Sequence, residues 1–181
     1  MSRFILIDDP NSILTNQISS FYSVKNVTKL NDVVLLYLDN TNLAELVPTI
    51  KALALDLMTN NKIYISGNKN NLEEEVKLVL TNLKKLDKGI FLAPDLVKYL
   101  DDKRSALSVI LGDYYNNHNF LTLLNTFFKN NLNVLVTANN LYMHRNTLLY
   151  KINNFYEHTG FNIKSFRDSA LLYIYLGLDL S

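Results

Sequence analysis

Residues 134–160 read VLVTANNLYMHRNTLLYKINNFYEHTG, and their spacing predicts two helices joined by a tight turn. Ala138 puts a small side chain midway along the first helix, where a larger one would push a crossing helix away. Leu141, Met143 and Leu148 are expected to fill the space between the two helices. Along the second helix Leu148, Ile152 and Phe155 recur at the spacing of one buried face, and Gly160 supplies a C-terminal stop. His144, Arg145, Asn146 and Thr147 open that helix as a polar cluster. This is how a helix-turn-helix is built, the unit whose second helix enters the DNA major groove with its first residues against base edges.

Each polar residue then has an expected task. His144 stands at the N-cap or faces the groove. Arg145 can fork to guanine or phosphate, and Thr147 can donate to phosphate or touch a thymine methyl. Tyr150 and Lys151, one turn further on, can reach the backbone. The candidate DNA contacts are therefore His144, Arg145, Asn146, Thr147, Tyr150 and Lys151.

The chain before this unit alternates strands and helices. FILI (Phe4 to Ile7) reads as a short buried strand ended by Asp8, Asp9 and Pro10. A helix is expected from about Asn11 to Val24, with Ile13, Leu14, Ile18, Phe21 and Tyr22 roughly on one face. Val27 to Leu30 and VVLLYLD then form a hairpin, and Asn42 is expected to cap a helix running to about Met58. IYIS alternates as a strand. Asn71 is expected to cap the next helix, whose Glu73, Glu74 and Glu75 are read as a solvated run favouring the positive end of the helix dipole. GIFLAPDLVKYL reads as a strand and a helix starting near Pro94. After Leu100 only helices are predicted, punctuated by Asn116, Asn117, Asn130, Asn131, Asn133 and Gly160. The fold class is α+β: a small N-terminal α/β sheet layer over residues 1–102, followed by an all-helical domain over 103–181.

Composition narrows the function classes. Of the 181 residues, 48% are hydrophobic, and the formal net charge is +1. A protein that coats nucleic acid by charge alone carries a strong basic excess. DNA binding here therefore requires a local patch, doubled by pairing as a homodimer. There is no Cys, so disulfides and thiolate metal sites are excluded, which fits a reducing cytoplasm. No stretch approaches the roughly 18 apolar residues of a membrane span. The five glycines form no phosphate-binding loop, and His118, His144 and His158 lack metal-ligand spacing. Asp8, Asp9, Asp32, Asp101 and Asp102 sit where Asp serves turns and caps. No catalytic constellation, cofactor site or metal site is expected, and no effector ligand is indicated. The abundance of Asn, Leu, Lys and Tyr is read as compositional bias rather than a binding code.

From LLNTFF to LYIYLGL, about 60 residues, the chain resembles the C-terminal domain of PucR/CdaR-family bacterial transcriptional regulators. The matching positions include Thr126, Asn131, Asn133, Thr137, Ala138, Leu141 and Met143. They continue through the HRNTL-x-Y core (His144 to Leu148, then Tyr150), Lys151, Ile152, Thr159, Gly160 and Arg167. The resemblance implies a transcription regulator, not an enzyme, with a helix-turn-helix similar to that of Fis-type nucleoid proteins. Two departures stand out. Leu149 occupies a position that is usually basic in the family, and the larger N-terminal sensor region of full-length members is expected to be absent. Residues 1 to about 100 resemble, in topology only, the degenerate GGDEF-like domain that precedes the helix-turn-helix in this family; with no GGDEF sequence, cyclase activity is not implied. Near neutrality and Leu149 leave one alternative: a protein-interaction module that has lost DNA binding.

Overall fold

The computed structural model describes residues 2–67 and 72–178, and the chain divides into two units, 1–100 and 101–181. The N-terminal unit runs β1 (Ser2–Asp8), α1 (Ile13–Phe21), β2 (Val24–Leu30), β3 (Val33–Asp39), α2 (Leu43–Asp56), β4 (Lys62–Ile65), α3 (Glu73–Asn82), β5 (Gly89–Phe91) and α4 (Ala93–Val97). Its sheet order is β2-β3-β1-β4-β5. β3 lies antiparallel between β2 and β1, β4 is antiparallel to β1, and β5 adds in parallel to β4. The first four strands with α1 and α2 form the split βαββαβ arrangement of ferredoxin-like sheets.

The register explains why two strands read as unbroken apolar runs, and why β4, expected to alternate, is buried on both faces. Ile5 and Ile7 of β1 stand beside Leu36 and Val34 on one neighbour and Ile65 and Ile63 on the other, sharing one face. Phe4, Leu6, Leu35 and Tyr64 share the opposite face, and all ten residues are buried. With both faces covered, the alternation of a half-exposed strand disappears. β2 is different: it is an edge, with Val27 52% exposed, and its pairing is interrupted by a bulge between Val24 and Asn26.

Capping sets the helix starts. Asn42 caps α2 as expected, its side chain accepting from the Glu45 amide at 2.8 Å. α1 begins at Ile13 rather than Asn11, because Asp9 reaches forward and accepts from both the amide and the hydroxyl of Thr15 (2.9 and 2.8 Å). Leu14 and Ile18 form its buried stripe, whereas Ile13 and Phe21 are exposed. Asn71 lies outside the described residues. Glu73 and Glu74 are exposed at the start of α3, but Glu75 departs from the expected solvated run. It is 1% exposed and accepts the Tyr64 hydroxyl at 2.7 Å, since its position on α3 turns it inward beside Val76 and Val79. Burial first, then the Glu75 carboxylate, holds the Tyr64 hydroxyl well above its ordinary pKa.

The C-terminal unit is helical: α5 (Lys103–Leu111), a 3-10 turn at Gly112–Tyr114, α6 (His118–Lys129), α7 (Val134–Asn140), α8 (Arg145–Thr159) and α9 (Phe166–Leu176). Its core gathers Phe120, Leu124 and Phe127 of α6, Leu148, Ile152 and Phe155 of α8, and Phe161, Ile163 and Leu172. The chain is α+β. Among the described residues, no helix is long and apolar enough to cross a membrane.

Candidate nucleic-acid interface

Asparagines fix the approach to α7. Asn131, with φ +52°, turns the chain out of α6, closed by hydrogen bonds from the Asn131 amide to the Phe128 carbonyl and from the Leu132 amide to the Phe127 carbonyl. Two residues later Asn133 caps α7, its side chain accepting from the Leu135 and Val136 amides. Asn130 ties the two elements together, donating to Thr137 Oγ1 at 3.4 Å and accepting from Asn140 at 3.2 Å. These asparagines are local geometry, supplied by a side chain that tolerates left-handed backbone and mimics a peptide acceptor.

The turn between α7 and α8 is a Schellman closure. The Tyr142 amide donates to the Asn139 carbonyl at 3.1 Å and the Met143 amide to the Ala138 carbonyl at 2.9 Å. Tyr142 takes the left-handed position, φ +51°, where glycine is usual. Its side chain, 98% exposed, stands at the tip of the turn. His144 then caps α8, its Nδ1 accepting from the Asn146 amide at 3.2 Å. An Nδ1 acting as acceptor places the proton of the neutral ring on Nε2.

Between the helices Thr137, Ala138 and Leu148 are fully buried. Leu141 and Met143, expected to fill the same space, are only half-buried, because the turn that carries them lies at the rim of the crossing. Leu148, Ile152, Phe155 and Thr159 form the buried stripe of α8, and Gly160, φ +77°, ends it. At about 100° per residue, the line opposite that stripe runs through Asn146, Tyr150 and Asn153. Arg145 falls on one flank of this line, and Thr147 and Lys151 on the other. All six predicted contacts, His144, Arg145, Asn146, Thr147, Tyr150 and Lys151, are exposed within the first two turns.

Two features were missed by sequence reasoning. Tyr142 is one: its exposure follows from a turn geometry that the residue type alone argues against. Lys164 is the other, donating to Asn153 Oδ1 at 3.3 Å and so bringing a cation from the next loop onto the outer line of α8. Only the folded turn makes that pairing visible. The remaining motif residues have structural tasks. Thr159 donates to the Phe155 carbonyl and accepts from the Phe161 amide; Arg167 pairs with Asp168, which also accepts from the Asn162 amide. His158 meets the Asn154 carbonyl at 2.7 Å.

Comparison with known families bears on this unit. Residues 120–178 match the PucR C-terminal helix-turn-helix domain. The match covers a third of the chain, from the first turn of α6 to the end of α9. In this PucR-type segment α7 and α8 are the helix-turn-helix pair. The crystal structure of a regulator of polyketide synthase expression from Bifidobacterium adolescentis is similar over 98% of this chain and 79% of its own, at 15% identity and a TM-score of 0.40. No curated protein sequence matches the chain.

Proposed function

We propose that the protein is a transcription regulator that binds double-stranded DNA by placing the first two turns of α8 in the major groove. The observation that carries this reading is the coincidence of a PucR-type helix-turn-helix match with six polar or basic residues, all exposed, on the N-terminal half of its second helix. Arg145 and Lys151 on opposite flanks suit the phosphates bordering a groove, with Asn146 between them facing base edges and Tyr150, one turn on, within reach of the backbone. Residues 1–100 serve in this reading as a scaffold or sensor, of the degenerate GGDEF-like kind by its split sheet topology. The working form is a homodimer, because one recognition helix with so few cations buries too little to bind tightly and paired half-sites supply the rest. Ile174 and Phe166 of α9, 59% and 82% exposed, are apolar surface that pairing would cover.

The test is fluorescence anisotropy on DNA fragments selected from the source genome. Arg145→Ala is expected to weaken binding by roughly 10- to 150-fold, the worth of about 1.5–3 kcal/mol for a charge-assisted contact to phosphate. Unchanged binding with both Arg145→Ala and Lys151→Ala would reject the assignment of the recognition helix. The second reading, an interaction module without DNA affinity, draws on the net charge of +1 and on Leu149. It would be favoured if no fragment bound at low salt.

A further inference from the structure

A pocket of about 270 Å³ opens where the start of α6 meets the outer flank of α8. Its polar wall is Tyr114, Asn117, Asn119, Tyr150, Lys151 and Asn154. Tyr114 packs against three rings. Its ring meets Phe120 edge-on at 4.7 Å, Phe155 at 5.1 Å and His158 at 5.9 Å. Asn117 caps α6 by accepting from the Phe120 amide at 3.0 Å, so the pocket lies at the positive end of a 12-residue helix.

The wall is rich in donors: two phenol hydroxyls, three amides and an ammonium. Burial, and then the neighbouring Tyr150 and Asp113, raise the pKa of Tyr114, which keeps its hydroxyl a donor throughout the neutral range. Asp113, the exposed residue before Tyr114, is an opposing charge on the same turn but does not line the pocket. The volume falls below the usual range for drug-sized ligands and suits a single tetrahedral anion with its water.

We propose that this pocket seats a phosphate group, with the DNA backbone beside the α8 contact as its source. The inference rests on the reading of α8 as the recognition helix. It adds Tyr114 and Asn119, which precede the PucR-matched segment, to the DNA-contacting surface. A phosphate here extends the footprint along the Lys151 flank and is indifferent to base sequence.

The experiment uses the full chain and a random-sequence duplex at low salt, where phosphate contacts supply essentially all of the binding. In one variant Tyr114→Phe, which keeps the ring packing, is combined with Asn119→Ala at an exposed position. Asn119→Ala alone stands in if the double variant does not fold. Arg145→Ala runs alongside, and inorganic phosphate is titrated without DNA by NMR. Roughly tenfold weaker binding of the double variant, equal on random and selected DNA, supports the pocket with the backbone as source. Saturable binding of inorganic phosphate, lost in the double variant while DNA binding is unchanged, supports it with free phosphate as source. If the double variant binds DNA like the parent and phosphate binds nowhere on this wall, the pocket proposal is overturned. The effect of Arg145→Ala then shows separately whether the recognition helix stands.

Discussion

In the N-terminal unit Arg3, Asp9 and Glu75 are at most 3% exposed, whereas Arg145, Lys151 and Lys164 of the C-terminal unit stand in solvent. The buried set is held by short internal bonds. Arg3 donates to the carbonyls of Thr41 and Ser66, Asp9 collects Thr15, and Glu75 takes the Tyr64 hydroxyl. A charge withdrawn from water survives only when such bonds replace its hydration. A charge left in water contributes little to stability and remains available to a partner. Charge is architecture at these buried positions, and in the proposed function it is recognition at the exposed ones. Asp168, buried in the second unit, is architectural too, because it accepts from the Asn162 amide and pairs with Arg167.

The largest effect separates the two faces of one helix. Phe155→Ala, on the buried stripe of α8, is expected to cost about 3–5 kcal/mol in urea unfolding. A loss under 1 kcal/mol would mean that the stripe is not the core. Next comes the buried-charge side of the contrast: Asp9→Ala should cost about 2 kcal/mol by removing both bonds to Thr15. Tyr142→Gly should stabilise the protein by up to about 1 kcal/mol, because glycine relieves left-handed strain at the turn. If DNA affinity falls in that variant despite the gain, Tyr142 joins the contact surface. The smallest stability effect is Lys164→Gln, within about 0.5 kcal/mol. Its signature is instead a salt-dependence slope flatter by about 0.9, one phosphate contact fewer. A slope unchanged by Lys164→Gln places that cation off the DNA and narrows the basic surface to α8 itself.

What was legible in the sequence was whatever is local. FILI and VVLLYLD show their double burial as continuous apolar runs, Asn42 announces its cap, and Leu148, Ile152 and Phe155 state the inward face of α8 by spacing alone. The sheet order was not legible, because a strand carries no mark of its neighbours, and β1 sits between two strands that follow it in the chain. Glu75 was misread for the same reason. Three consecutive glutamates look alike until Tyr64, 11 residues earlier, supplies a donor to one of them. At the candidate site the six exposed residues were visible as a motif. The reach of Lys164 to Asn153 and the wall formed by Tyr114 depend on turns that close distant residues together, and no periodicity encodes them.

The edge strand β2 has a consequence for how the molecule behaves in company. An open sheet edge is a template for another strand, and Val27 and Leu30, 52% and 41% exposed, make this one attractive. The bulge between Val24 and Asn26 breaks the repeat that an added strand must match. Lys25 and Lys29 are occupied with Asp39 and the Pro10 carbonyl, yet they still present like charges to an identical edge. A chain whose net charge is only +1 has little long-range repulsion to keep copies apart. Against runaway strand stacking and fibre growth, its protection is this irregular, lysine-studded margin.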